Sequence, residues 1–266
     1  MGIIELLPPL NDFVFRLIFS DRQRPEVLAS LIIALLPEQA FLMKDLTVID
    51  PLVNVPENQS RTGLVSALVT SNLGAIHNIE ILVSSNPLER VDVALYAKNR
   101  HIYRMIQGMP EAQPRGFVTT ILLADYQLSA DSTRFVSRAD FELSTGPEVD
   151  AIKTVGSLWS YQLPNLKEEM DNQALKDWVD FFRARTLEEF REVSLRNRDI
   201  LSAREALEAI EADPSSLASY RAWREAHANH LAQVYRGKGP AELWPEAMKR
   251  LIISSTDGDD EPPTCH

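Results

Sequence analysis

Six short runs rich in β-branched residues, interrupted after the third by one amphipathic helical segment, most constrain how this chain can fold. They occupy residues 46–49, 63–70, 75–83, 117–123, 134–143 and 151–163. Their length and composition predict strands, and the turn signals Asn58-Gln59-Ser60 and Ser71-Asn72-Leu73-Gly74 separate the first three, with a hairpin at Gly74. After the third run, Asn86-Pro87 supplies a cap and a first-turn proline. Leu88, Val91, Leu95, Ile102 and Ile106 then mark one helical face as far as Gly108. Two further helices precede the strands. One carries Phe13, Phe15, Leu17, Ile18 and Phe19 after Asn11-Asp12; the other opens at Pro25 and repeats Val27, Leu28, Leu31, Ile32 and Leu35 at helical spacing. The order ααβββαβββ predicts an α/β fold with a mixed central β-sheet flanked by helices.

From Leu166 the strand pattern stops, and Met170, Ala174, Leu175, Trp178, Phe181 and Phe182 begin a series of amphipathic helices. Their recurrence at helical intervals marks the aromatics as helix core rather than a base-stacking platform. Asp213-Pro214 restarts a helix carrying Leu217, Tyr220, Trp223, Leu231 and Val234 towards a stop at Gly237. The predicted organisation is a sheet domain over residues 1–165, a helical region over 166–253 and an acidic, proline-containing disordered tail over 254–266.

With 45% hydrophobic and 24% charged residues in 266, the composition is that of a globular protein with one sizeable core. The longest apolar run, Leu31 to Leu36, is closed by Pro37 and falls far short of the roughly 18 residues a membrane span needs. The opening MGIIELLPPL has neither a basic start nor a cleavage site, so no export or anchoring is expected. A single cysteine, Cys265, forms no internal disulfide, which agrees with a cytoplasmic location.

The net charge of −11 opposes long-range attraction to nucleic-acid phosphates, although a local basic groove can coexist with an acidic remainder. Arg16, Arg90, Arg100, Arg104 and Arg115 could line such a groove, or form a salt-bridged helix face. His227 and His230 stand three apart, but no further ligand joins them at matching spacing, and His227 falls on the stripe with Trp223 and Leu231, which points to packing. The chain has no glycine-rich phosphate loop and no G-x-S-x-G elbow, so nucleotide hydrolysis, a nucleotide cofactor and serine esterase chemistry are set aside.

Several segments together carry a resemblance. LLPPLNDFVFRLIFSD (6–21), HNIEILVS (77–84), LYAKNRHIYRMIQG (95–108), PRGFVTTILLADYQL (114–128) and YQLPNL (161–166) occur in that order, followed by a helical stretch with EALEAIEADPSS. In combination they resemble the recombination-promoting nuclease/transposase family of the PD-(D/E)XK superfamily, over roughly residues 6–238. The resemblance implies a restriction-endonuclease-like core in which a hairpin carries an Asp on one strand and Glu-x-Lys or Glu-x-Gln on the next. In that pattern two carboxylates hold Mg2+ against the scissile phosphate, and the Lys or Gln positions the attacking water.

Position by position, Asn78-Ile79-Glu80 matches the family strand and makes Glu80 the metal-binding carboxylate. Two residues on, Leu82 stands where the family has Gln or Lys, and it can neither orient water nor donate a hydrogen bond. Counting back from Gly74, the family's Leu-Asp-Val falls on Val65-Ser66-Ala67, so Ser66 replaces the Asp. Asp12, Glu89 or Asp92 could supply a substitute oxygen, Asp12 reading first as a helix N-cap. Alternation alone is compatible with an ordinary solvent-facing glutamate at Glu80, opposite Ile79, Ile81 and Val83.

Three functions are therefore weighed. One is a degenerate family member acting by DNA or protein binding. Another is an active Mg2+-dependent DNA endonuclease using Glu80 with Asp12, Glu89 or Asp92. The last is a protein-interaction module regulating an active relative. The expected partners are DNA, a protein or a second copy of the chain, with no membrane.

Overall fold

A computed structural model of the chain describes residues 6–38, 43–49, 64–71, 76–87, 93, 97, 117–128, 133–143, 153–166 and 171–234. The chain divides into two compact units, Met1–Arg221 and Ala222–His266.

The chain opens with α1 (Asp12–Phe19) and α2 (Pro25–Leu35). Asn11 caps α1, its Oδ1 accepting from the N–H groups of Phe13 at 3.1 Å and Val14 at 3.4 Å. Capping therefore falls to Asn11 rather than to Asp12, which is the first helical residue. Phe15, Ile18 and Phe19 are buried as predicted and Val14 joins them at helical spacing, whereas Phe13 is half-buried and Leu17 is exposed. Pro25 opens α2 without cost, because the first-turn N–H it lacks has no intrahelical partner.

Six strands follow: β1 (Met43–Ile49), β2 (Leu64–Ser71), β3 (Ile76–Ser84), β4 (Phe117–Ala124), β5 (Val136–Leu143) and β6 (Lys153–Gln162). They form one sheet in the order β1-β2-β3-β4-β6-β5. β1, β2 and β3 are mutually antiparallel, β3–β4 and β4–β6 are parallel, and β5 returns antiparallel to β6. This is the mixed sheet of a restriction-endonuclease-like α/β core. Parallel pairing of β3 with β4 requires a crossover, and the two described residues inside it, Val93 and Ala97, are helical and buried. The rest of the helix predicted from Asn86 to Gly108 lies outside the described residues.

The register assigns side chains to faces. Ser66, Glu80, Thr120 and Leu158 stand in one cross-strand row, and Leu64, Leu82, Leu122 and Ser160 in the next row on the same face. Val93 and Ala97 pack on that face against Leu64, Leu82 and Leu122. The opposite face carries Val65, Ile81, Ile121 and Trp159, then Val83, Leu123 and Tyr161. There the Tyr161 hydroxyl donates to the Leu35 carbonyl at the end of α2, so helices cover both faces.

After a 3-10 turn (Leu163–Asn165) come α3 (Gln173–Arg183), α4 (Leu187–Arg196), α5 (Arg198–Ala212) and α6 (Pro214–Val234). Asn172 caps α3 by accepting from Leu175 N–H at 3.0 Å, and its own amide donates to the Ala34 carbonyl at 2.9 Å, tying α3 to the end of α2. Phe15, Phe19, Trp178, Phe181 and Phe182 form one aromatic cluster, with centroids of neighbouring rings 4.4 to 6.1 Å apart. The predicted helix-core role of Trp178, Phe181 and Phe182 is what the structure shows. In the second unit, Trp223 and His227 stack at 4.8 Å, one helical turn apart, as the packing reading of His227 requires.

Candidate functional site around Glu80

Glu80 lies in the middle of β3 and is fully buried, as is Ser66 directly across from it on β2. The Ser66 hydroxyl donates to Glu80 Oε1 at 3.1 Å. A charged group withdrawn from water is costly unless hydrogen-bonded, and this contact supplies one bond of that compensation. The solvent-facing position with which alternation alone is compatible is not the one observed, because both sheet faces are covered and so Glu80 faces packed protein.

The surroundings of Glu80 differ in its two directions along the strand. One row back on the same face stands Asn78, whose Oδ1 is buried and has no hydrogen-bond partner among the described residues. One row forward, Leu82 joins the apolar cluster of Leu64, Leu122, Val93 and Ala97, with Leu128 and Leu158 packed against it. Thr120, opposite Glu80 on β4, is also buried. Among the described residues of the sheet face, Glu80 thus has neutral polar side chains beside it and a hydrocarbon cluster one row forward.

Asp12 is in the first turn of α1 and is buried at 7% exposure. Its helix packs against both β2 and β3, the strands that carry Ser66 and Glu80. Arg16, on the same helix, is half-buried. Glu89, Asp92, Arg90, Arg100, Arg104 and Arg115 lie outside the described residues, as does the side chain of His230. Among the described residues, no group of three or more His, Cys, Asp or Glu side chains is placed to hold a metal ion.

Asn78 and Thr120 carry the polar character of this face, and sequence reasoning gave neither a role. A signal existed for Thr120: Thr119-Thr120 interrupts the otherwise apolar strand FVTTILLA. Which of the two threonines faces Glu80 depends on strand register, which the sequence does not contain.

A family model described as PD-(D/E)XK nuclease family transposase matches residues 9–234, most of the chain. The chain belongs to that family. No significant match is found among curated proteins or solved structures. The matched region of this PD-(D/E)XK family member takes in the opening helices, the whole sheet and the helices through α6.

Nucleases of the superfamily generally use Mg2+. That ion needs near-octahedral oxygen coordination and is commonly held by one or two carboxylates plus substrate phosphate. Among the described residues of its own sheet row and the next, Glu80 is the one carboxylate. The hydroxyl of Ser66 donates to Glu80 Oε1, and the next row, Leu64, Leu82, Leu122 and Ser160, adds no carboxylate.

Proposed function

We propose that this PD-(D/E)XK family member keeps the nuclease scaffold without efficient metal-dependent cleavage and acts by binding, with DNA the partner its family suggests. One observation carries the reading: the hydrogen bond from Ser66 to Glu80, between two residues with no exposed surface. By the alignment on Gly74, Ser66 is where the family has its second carboxylate. A serine there adds a donor to Glu80 where an aspartate would add negative charge for a cation. Leu82 supports the same reading, since its place in an apolar cluster leaves the Lys or Gln position of the motif without a polar side chain.

The test is calorimetric titration of Mn2+ into metal-free protein, with plasmid nicking under the same conditions and Glu80→Gln alongside. The expected result is no Mn2+ heat and no nicking for either protein. Nicking by the wild type that Glu80→Gln abolishes would overturn the proposal. Binding to duplex DNA is measured at increasing salt: a steep loss of affinity marks phosphate contacts, whereas salt-insensitive capture of a protein partner marks an apolar interface.

A second reading, an active enzyme with a migrated site, is favoured by one observation. Asp12 is a buried carboxylate on a helix packed against the two strands of the hairpin. Under that reading, Asp12→Asn and Glu80→Gln abolish nicking equally, with no change in melting temperature large enough to explain the loss.

A further inference from the structure

β5 is the last strand of the sheet, and among the described residues only β6 pairs with it. Every residue from Val136 to Asp140 is exposed, on both faces of the strand. An edge of this kind presents a row of main-chain donors and acceptors to any strand that can align with it. Proteins usually blunt such edges with a proline, a bulge or charged side chains. β5 contains no proline, and its irregularity falls near its end, between Phe141 and Glu142. Its central charges, Arg138 and Asp140, are opposite in sign and lie on one face, with Arg138 Nε donating to Asp140 Oδ1 at 2.7 Å. The Arg138 guanidinium is also held over the Trp159 ring, 4.9 Å from its centroid.

This spacing has a symmetry consequence. Antiparallel pairing of a strand with its own copy about a two-fold axis sets one residue opposite itself, and residues equidistant from it on either side face each other. With Ala139 on the axis, Arg138 of each copy faces the partner subunit's Asp140, giving two reciprocal ion pairs on one face around a small central side chain. Placing Arg138 or Asp140 on the axis instead would oppose like charges. Opposite charges directly across an antiparallel pair are favourable and like charges are not, so the strand's own sequence selects the Ala139 register.

We propose that β5 is a self-association edge, through which two copies of this chain pair antiparallel about Ala139 so that one sheet runs through both. The occupant is a second copy because the charges of the edge complement themselves. Arg138 and Asp140 share the sheet face opposite that of Glu80, so the inference stands whether or not the chain cleaves DNA.

Sedimentation equilibrium of the full chain tests it, using the wild type, Arg138→Asp, Asp140→Arg and an equimolar mixture of the two variants, with circular dichroism to confirm folding. The wild type is expected to show a concentration-dependent monomer–dimer equilibrium. Each variant alone should dimerise at least about tenfold more weakly, the factor equivalent to roughly 1.4 kcal/mol. Mixing them should restore dimer, because each edge then meets the opposite charge at both positions. A wild type that stays monomeric overturns the proposal. So do variants that dimerise as well as the wild type, and so does weakening without recovery on mixing, which would assign the loss to something other than paired charges.

Discussion

The Ser66–Glu80 pair makes a prediction that does not depend on any catalytic role. Glu80→Ala removes the acceptor of a buried hydroxyl and leaves a space, so it should destabilise the fold by about 2–4 kcal/mol in urea denaturation. Glu80→Gln keeps an acceptor oxygen and should cost less than half as much. Leu82→Ala, in the cluster with Leu64 and Leu122, should cost about 2–5 kcal/mol and leave any DNA affinity unchanged. His77, next to Asn78, brings a pH dependence. Burial lowers its pKa from the ordinary 6.5, so folding favours the neutral ring. Its protonation therefore costs the folded state: stability is complete above the ordinary value and falls as pH drops from there through the depressed folded value. Melting temperatures followed from neutral pH down to about 5 should decline in the wild type across this window, and less steeply in His77→Gln. Residue identities on this strand were legible in the sequence. That Glu80 is buried and Asn78 Oδ1 without a partner among the described residues was not, because both depend on what covers the sheet.

At the scale of elements, the ends of helices carry much of the local information. Thr186 and Glu189 form a reciprocal capping box at the start of α4, with Glu189 Oε2 accepting from Thr186 N–H at 3.0 Å and Thr186 Oγ1 from Glu189 N–H at 3.2 Å. Thr186→Ala should cost about 1 kcal/mol by thermal or chemical denaturation, as losses of N-caps typically do. The YQLPNL segment, which the sequence marked only as a family resemblance, is a structural knot. Gln162 accepts from Leu128 N–H at 2.7 Å and donates to the Arg134 carbonyl at 3.1 Å. Asn165 donates to the same carbonyl and accepts from Gln127. The Tyr161 hydroxyl reaches Leu35, and Arg183 reaches the Leu163 carbonyl. These bonds fasten the end of β6 to the segment after β4, the start of β5, α2 and α3. Their polar partners are distant in sequence, so periodicity could not anticipate them.

At the scale of the larger unit, α3, α4 and α5 belong to the same unit as the opening of the chain. The Leu7 N–H donates to Glu211 at 2.7 Å, and Arg24 donates to the Ser202 carbonyl at 3.0 Å. Trp178 sits at the centre of the aromatic cluster with no exposed surface, so Trp178→Ala should cost about 3–5 kcal/mol and loosen α1 and α3 together, read as one cooperative loss of signal. The sequence by itself determined the element types and their order, the apolar faces of the helices and the family. These follow from side-chain period, capping chemistry and short motifs, which are properties of neighbouring residues. Only the tertiary structure decided that Ser66 and Glu80 are hydrogen-bonded partners, that Leu82 closes one side of the site, and that β5 lies at the edge. Each of these depends on strand order, register or covering helices, and so on contacts between residues far apart in the chain that no local pattern encodes.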